Sequence, residues 1–252
     1  MPVISIITAT LDARATIERL AMSLHLQTCK EFEWIVVDGV SRDGTVEFLR
    51  AFSADNPWCR YISEPDSGIY DALNKGIRLA AGEFYLVIGA DDYLYSDAVH
   101  NYRNAAIETS ADIVLANVIR NGRIAGGFKP RLAWAGHQRV FLGSHSVGML
   151  IRSNLHGKIG YYSPLFPMLA DGYFLKLALS DPEIKFGLAN FVAGRFSIHG
   201  ISSTEKVRSL AETWLIQMTT ERSPIFQTVI FIGKIVLRLL SWPPKPGQGD
   251  NW

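Results

Sequence analysis

The first ninety residues alternate short apolar runs with stretches of helical periodicity, and this alternation constrains the fold more than any other feature. Residues 3–8 form an almost continuous apolar run, as expected for a strand that is buried on both faces. Ile17, Leu20, Ala21 and Leu24 then recur at the spacing of one helix face. Repeated β-α units of this length predict an α/β domain with a doubly wound, mainly parallel sheet and helices on both faces.

The rest of the chain is assigned by the same patterns, more regularly in the first half than in the second. In the first half we predict strands at residues 34–37, 61–63 and 84–88 and helices at 45–52 and 69–80. In the second half we predict a hairpin across Asn121-Gly122, a mobile glycine-rich basic loop at 126–145, helices at 171–179 and 204–219, and a strand at 191–198.

The strand ends of the first half point to a binding site. Ligands of open parallel sheets bind beyond the carboxyl ends of the strands. The segments that follow those ends all carry acidic or hydroxyl side chains, at residues 8–12, 38–43, 64–71 and 89–92. Because these ends meet at one edge of the sheet, the sequence predicts a polar site there.

Composition excludes several classes of protein. The chain has 252 residues, 48% of them apolar, and a formal net charge of +1, so we expect one large domain and no nucleic-acid partner. Cys29 and Cys59 lie in no metal-binding motif and are expected to be thiols in a reducing compartment. The first residues are typical of a strand rather than a signal peptide, and no uncharged apolar run is long enough to span a membrane.

Two acidic motifs can carry chemistry. In GADD, a carboxylate at the end of a buried strand can hold Mg²⁺ or Mn²⁺ against phosphate oxygens, and only one of Asp91 and Asp92 should face the ion. A turn or a helix-capping pair explains the same dipeptide. In VVDGVSRDGT, Asp38 fits either a nucleotide contact or a structural role, whereas Asp43 is expected to cap a helix. Lys75 can approach a phosphate or remain solvated.

Four stretches together resemble a known family. They are SIITATLDARATIERLAMSLHLQT, FEWIVVDGVSRDGTVEFL, ISEPDSGIYDALNKGI and AAGEFYLVIGADDYL, followed more weakly by SHSVGMLIR, LADGYFLKLAL and HGISST. Across residues 2–204 the chain resembles the bacterial family 2 glycosyltransferases of the GT-A fold. The similarity is greatest to the branch that builds surface polysaccharides such as colanic-acid-type exopolysaccharide.

The resemblance implies an inverting transfer of a sugar from a UDP- or GDP-sugar to a saccharide hydroxyl, with a divalent cation, Mn²⁺ or Mg²⁺, at the diphosphate. It implies Asp171 as general base and Asp91 as metal ligand, although Gly89 stands where many relatives have a further acid. The remaining roles are implied for Thr8, Thr10, Asp12, Asp38, Asp66 and Lys75 at the nucleotide, His199 at the metal, and His145 and Ser146 on the acceptor side.

The resemblance also divides the chain. Residues 1–222 would form the GT-A domain, with a nucleotide-binding half at 1–95 and an acceptor-binding half at 96–222, and residues 243–252 a disordered tail. Nucleotidyltransferases and dinucleotide oxidoreductases need a glycine-rich phosphate loop after the first strand, which TATLDARAT lacks. A catalytically weak nucleotide-sugar-binding or assembly protein of the same fold remains an alternative.

The segment at 223–242 is apolar but too short to cross a bilayer. It fits either a core helix or an amphipathic helix in the membrane interface, with Lys234 and Arg238 meeting anionic lipid and Trp242 at headgroup level. We favour the interface, because the acceptors of this family branch are lipid-linked. The expected location is therefore cytoplasmic, peripheral at the inner face of the bacterial inner membrane.

Overall fold

A computed structural model of the chain describes residues 4–136, 138–197 and 206–240. Its sheet begins with four parallel strands in the order β3-β2-β1-β4, as the sequence predicts. They are β1 (Ile4–Thr10), β2 (Phe32–Asp38), β3 (Cys59–Ser63) and β4 (Phe84–Val87).

Helices cover both faces of these strands, which confirms the doubly wound arrangement. The helices are α1 (Arg14–His25), α2 (Thr45–Asp55) and α3 (Ile69–Leu79). Side chains alternate along a strand, so Ile6 packs in the cluster that contains α1 and α2, and Ile7 packs against α3. A Cβ at Gly76 would lie 2.5 Å from the Ile7 side chain, so the glycine is what lets α3 lie this close to the sheet.

Beyond β4 the sheet becomes mixed. The further strands are β5 (Tyr93–Leu94), β6 (Ile113–Arg120), β7 (Arg123–Ala125), β8 (Met149–Arg152) and β9 (Phe186–Phe196). β8 pairs antiparallel with β4 and β6, while β6 and β9 are parallel. Asn121 and Gly122 have φ of 52° and 71° and join β6 to β7, which confirms the predicted hairpin.

The second half carries six helices within the described residues. They are α4 (Ala98–Thr109), α5 (Gln138–Phe141), α6 (Leu155–Ile159), α7 (Ala170–Ser180), α8 (Lys206–Thr220) and α9 (Pro224–Leu240), with 3₁₀ turns at Pro130–Ala135 and Ser146–Gly148. α4 packs on the α1 face and α7 on the α3 face.

The segment at 126–145, predicted as a mobile loop, is largely a 3₁₀ turn followed by α5. The cause is a set of hydrogen bonds that the sequence did not reveal. Backbone carbonyls of the turn accept from Lys176 Nζ (Ala133, 3.2 Å), Gln227 Nε2 (Trp134, 3.0 Å) and Lys234 Nζ (Ala135, 2.7 Å).

α8 and α9 form a helical hairpin in which Trp214 stacks on Phe231 with ring centroids 5.3 Å apart. No helix among the described residues is both long and apolar enough to cross a membrane. The expectation that Lys234 meets lipid is wrong, because its ammonium is turned inward onto the Ala135 carbonyl. The Arg238 side chain, Trp242 and the predicted tail at 243–252 lie outside the described residues.

Candidate active site

The loop after β4 uses its two aspartates differently. Asp92 is 2% exposed, and its carboxylate accepts hydrogen bonds from the Ser197 amide (2.7 Å) and the Gly89 amide (3.2 Å). Burial raises the pKa of Asp92 to about 7, and the charge of Asp91 adds to the rise. Asp91 instead lines a cavity of about 320 Å³. Of the two acids, Asp91 is therefore the one available to a ligand.

Gly89 gives this loop its shape. A Cβ at this position would lie 2.9 Å from Asp92 Oδ2 and 3.0 Å from Asp91 Oδ1. The two carboxylates therefore fold back over the glycine backbone, in space that a larger residue would occupy.

The cavity beside Asp91 also carries positive charge and aromatic rings. Arg19 donates to the Asp91 carbonyl, and its guanidinium lies 5.5 Å from the centre of the Tyr93 ring. Arg195, which pairs with Tyr93 between β9 and β5, and Phe196 also line this cavity. Two guanidinium groups beside one carboxylate suit an anionic ligand that also binds a cation.

The described residues could hold a divalent cation here only together with a bound ligand that completes its coordination. Among the described residues no three His, Cys, Asp or Glu side chains form a group that could hold a metal. Mg²⁺ in phosphate-transfer sites is commonly held by one or two carboxylates, with substrate phosphates supplying other ligands. Asp91 fits that role, so any cation here would depend on the diphosphate for most of its coordination. His199 lies outside the described residues.

The carboxylate at the end of β2 is occupied by the protein itself. Asp38 is fully buried, and its Oδ2 accepts from the Ser41 amide (3.0 Å) and the Ser63 hydroxyl (2.7 Å). The Ser41 hydroxyl donates to Oδ1. These bonds hold the loop after β2 to the end of β3, and of the two roles expected for Asp38 they favour the structural one over contact with a base or ribose.

The two threonines of β1 also separate. Thr8 is fully buried and accepts from the Trp34 indole at 3.0 Å, so it belongs to the core and does not line a nucleotide pocket as expected. Thr10 Oγ1 is buried and has no hydrogen-bond partner within the described residues. A buried hydroxyl without a partner is unusual, and it leaves Thr10 a candidate for ligand contact.

Of the other expected nucleotide residues, Asp12 and Asp66 shape loops and Lys75 is paired. Asp12 has φ of 49°, and its Oδ1 accepts from the Arg42 amide at 2.8 Å. Asp66 Oδ1 accepts from the Gly68 amide at 2.8 Å, while its Oδ2 lies over Gly39. Lys75 Nζ lies 2.9 Å from Glu64 and 2.7 Å from the Pro65 carbonyl, so its ammonium is paired within the protein, and the expected contact with a phosphate would have to replace these partners.

Asp171 lies in the first turn of α7 and is held by side chains from two other helices. Its Oδ1 accepts from the Tyr70 hydroxyl at 2.6 Å and from the Gly172 amide at 2.8 Å. Its Oδ2 accepts from Gln138 Nε2 at 2.6 Å. Burial raises the pKa of Tyr70 well above its usual range, with the Asp171 carboxylate adding to the rise, so Tyr70 is a donor at neutral pH.

The position of Tyr70 brings Asp171 to the edge of the sheet predicted to bind ligand. Tyr70 is the second residue of α3, which starts shortly after β3 ends. A residue bonded to Tyr70 therefore lies near the carboxyl ends of the parallel strands. The start of α7 is fixed further by buried Glu212 of α8, whose Oε2 accepts from the Met168 and Leu169 amides at 2.9 and 3.0 Å.

His145 and Ser146, expected on the acceptor side, lie beside Phe196. The His145 ring stacks on Phe196 with centroids 3.5 Å apart, and its Nδ1 is 3.0 Å from the Ser146 hydroxyl. Phe196 lines the Asp91 cavity, so this pair belongs to the Asp91 side.

Several residues of the site were not predicted from the sequence. Gln138, which follows His137, received no role there, yet it donates a hydrogen bond to the Asp171 carboxylate. Tyr70, Arg19, Glu212 and Arg195 were missed because no local pattern marks them.

Comparison with solved structures identifies the fold. The structure is similar to TarS of S. aureus, with a TM-score of 0.69 and 18% identity over 96% of this chain and 44% of that one. It is also similar to the mannosyltransferase PcManGT from Pyrobaculum calidifontis, crystallised with GDP-Man and Mn²⁺, with a TM-score of 0.67 and 17% identity over 94% of this chain and 70% of that one. At these identities the likeness shows the GT-A fold.

Sequence comparison carries the assignment further. A PGL/p-HBAD biosynthesis glycosyltransferase of Mycobacterium tuberculosis is 32% identical over 254 aligned positions, which cover 96% of this chain and 91% of the relative. The profile of Glycosyl transferase family 2 matches residues 5–171, from the first strand to the candidate base Asp171. The chain therefore belongs to glycosyl transferase family 2.

Proposed function

We propose that this glycosyltransferase inverts the anomeric centre of a UDP- or GDP-sugar as it moves the sugar to a saccharide hydroxyl, with Asp171 as general base. The observation that carries the proposal is the Asp171 carboxylate, held by Tyr70 and Gln138 at 2.6 Å each. One carboxylate fixed in place over an acceptor is the main requirement for a single in-line displacement.

The hydrogen bonds of Asp171 indicate which oxygen works as the base. Oδ1 has two protein donors, Tyr70 and Gly172, which fill its lone pairs. Oδ2 has only Gln138 and keeps one acceptor site. In the proposed reaction Oδ2 takes the acceptor hydroxyl proton, the acceptor oxygen bonds to the anomeric carbon, and the bond from that carbon to the diphosphate oxygen breaks.

The leaving diphosphate needs positive charge and hydrogen-bond donors. Arg19 and Arg195 line the Asp91 cavity, and Thr10 has a buried hydroxyl without a protein partner. A divalent cation, Mn²⁺ or Mg²⁺, held by Asp91 would offset further charge on the leaving group. A TarS fragment crystallised with UDP-GlcNAc and PcManGT with GDP-Man and Mn²⁺ support both donor classes for the fold.

For the acceptor we propose a saccharide carried on a lipid, in the synthesis of a bacterial surface polysaccharide such as an exopolysaccharide. The enzyme would then work as a peripheral protein at the anionic, cytoplasmic face of the inner membrane. The exposed apolar face of α9 supports this location.

A second candidate is a nucleotide-sugar-binding or assembly protein with weak turnover. It is favoured by one observation, that Asp91 belongs to no group of three His, Cys, Asp or Glu side chains that could hold a metal among the described residues.

Turnover separates the two candidates. Purified protein is screened with UDP- and GDP-sugars and Mn²⁺, first for thermal stabilisation and then for donor hydrolysis or transfer. We expect Asp171→Asn to retain stabilisation and to lose about 10²- to 10⁴-fold in turnover, the usual contribution of a general base. Exposed Asp97 is the control, since Asp97→Asn leaves turnover unchanged. Stabilisation of the wild-type protein without any turnover would favour the binding protein.

A further inference from the structure

α9 is a surface helix that exposes apolar side chains, the reverse of the usual arrangement. Among its described side chains the large exposed ones are all apolar, and the fraction exposed reaches 82% for Ile225, 60% for Val229 and 68% for Leu237. Phe226, Ile232 and Val236 complete the stripe, at the i, i+3, i+4 spacing of one helix face.

Three polar residues of the same helix, Gln227, Thr228 and Lys234, face the protein. Gln227 is 4% exposed and donates to the Trp134 carbonyl at 3.0 Å. Lys234 donates to the Ala135 carbonyl at 2.7 Å, and its desolvation lowers the pKa of the ammonium. Thr228 accepts from the Trp214 indole at 3.3 Å. A helix that turns its polar groups inward and its apolar groups outward suits an apolar environment on the outer side.

One end of the stripe carries aromatic and cationic side chains. The Trp134 ring lies 5.9 Å from the Phe226 ring and is 44% exposed. Lys129 directly precedes the same 3₁₀ turn, Arg131 is the second residue of that turn, and Arg222 lies two residues before α9. All three side chains are exposed and form no ion pair among the described residues. Tryptophan next to unpaired cations is typical of the boundary between apolar lipid and anionic headgroups.

We propose that this face, the α9 stripe with Trp134, docks on the surface of an anionic lipid bilayer, with Lys129, Arg131 and Arg222 meeting the headgroups. The inference deepens the proposed function by naming the surface of contact, and it rests on that function for the lipid-linked acceptor.

The charge pattern favours lipid over a second copy of the chain. The sequence contains no Asp or Glu from residue 113 to 170 or from 222 to 249. A symmetric pairing through α9 would bring these two acid-free segments together and leave the cations without carboxylate partners. An anionic membrane supplies the missing negative charge, at a gain for each Lys or Arg near the surface.

The same face is connected to the candidate base through a short piece of chain. Trp134 lies at the docking face, and Gln138, four residues later, donates to Asp171. A bilayer in contact with Trp134 would therefore present a lipid-linked acceptor close to the segment that holds the base.

The test is co-sedimentation of the full chain, without donor, with vesicles of phosphatidylcholine alone or in equal parts with phosphatidylglycerol. We expect binding to the anionic vesicles that weakens when salt rises from about 0.1 M to about 1 M. Ile232→Asp should weaken it about tenfold or more, whereas Ile107→Asp, at a more exposed isoleucine on α4, should leave it unchanged. Lys129→Gln/Arg131→Gln should cost about fivefold per cation.

Other outcomes would overturn the proposal. A wild-type dimer in sedimentation velocity that Ile232→Asp dissociates, with no vesicle binding, would assign the face to a second copy. Vesicle binding that appears only after removal of residues 241–252 would assign it to the chain's own end. The melting temperature shows whether Ile232→Asp is folded. If it is not, vesicle binding by the Lys129→Gln/Arg131→Gln variant decides, and unchanged binding would contradict the proposal. Thermal stabilisation by UDP- or GDP-sugars is measured on every variant, so that failure of docking and failure of the proposed transfer are seen separately.

Discussion

Two strands of the same parallel sheet, β2 and β4, end at or just before aspartates whose roles the sequence could not tell apart. At the end of β2, Asp38 is fully buried and bonded to Ser41 and Ser63. After β4, the chain places two acids in succession, and Asp92 takes the buried, hydrogen-bonded position. Asp91 is thereby left facing the cavity.

The difference lies in how many donors surround each carboxylate. A buried carboxylate is stable only when hydrogen bonds replace its water, so an acid surrounded by serine hydroxyls and amides becomes part of the loop structure. The amides that satisfy Asp92 cannot also satisfy the adjacent Asp91, so the Asp91 carboxylate stays accessible to a ligand. The doubled aspartate of GADD thus supplies one acid that is bonded within the protein, Asp92, and one that faces the cavity, Asp91.

The largest expected effect tests the proposed role of Asp91. At a nucleotide concentration about 100 times Kd, UDP or GDP with Mn²⁺ should stabilise the wild-type protein by about 2.7 kcal/mol. Asp91→Ala should lose most of the cation-dependent part of that gain, as measured by melting temperature with Mn²⁺ or EDTA. Asp97→Ala serves as a control. An unchanged cation-dependent shift in Asp91→Ala would place the diphosphate elsewhere.

Asp38, the buried acid at the end of β2, should behave in the opposite way. Asp38→Asn replaces a carboxylate that accepts three hydrogen bonds, and we expect it to lower the free energy of unfolding by about 2 kcal/mol in urea titrations. Donor affinity, measured on protein that is still folded, should stay unchanged. Asp55→Asn at the exposed end of α2 should change neither quantity. Weaker donor binding by Asp38→Asn would mean that Asp38 contacts the nucleotide after all.

A smaller effect is expected at Gln138 of α5, whose side chain holds the Asp171 carboxylate of α7. Gln138→Leu removes the donor to Asp171 Oδ2, so kcat should fall about tenfold while the donor KM stays constant. Gln138→Glu places a second carboxylate there and should reduce kcat further. A drop in stability with equal changes in kcat and KM would show that Gln138 only supports the fold.

The smallest effect concerns pH. His156 is buried beneath α7, between the Tyr85 hydroxyl (2.7 Å) and the Gly160 carbonyl (3.1 Å), and desolvation lowers its pKa below the ordinary value of 6.5. Below pH 6.5 the unfolded chain binds a proton that the folded one does not, so this contribution to stability is lost as pH falls, by at most about 1.4 kcal/mol per pH unit.

Melting curves between about pH 7.5 and pH 5.5 measure this loss. The pH dependence should be smaller in His156→Asn and unchanged in His100→Asn, whose histidine is exposed on α4. An equal slope in all three proteins would exclude His156 as its source.

Much of this protein was predictable from residue patterns. The apolar runs at 3–8 and 84–88 and the helix face of Ile17 and Leu20 were assigned correctly, because burial on a sheet or under a helix leaves a local period. The hairpin at Asn121-Gly122 was also local, since these residues tolerate positive φ. The antiparallel pairing of β8 with β4 joins residues more than sixty positions apart, and no period records it.

The sequence by itself determined the α/β class, the acidic strand ends and the family resemblance, because these depend on spacing along the chain. Only the tertiary structure decided which groups remain available. Thr8, Asp38 and Lys75 are bonded to Trp34, Ser63 and Glu64, while Asp91 and Thr10 Oγ1 are left for a ligand. The physical reason is that a polar side chain is satisfied by whatever donor folding brings within about 3 Å, and that donor usually comes from a distant part of the chain.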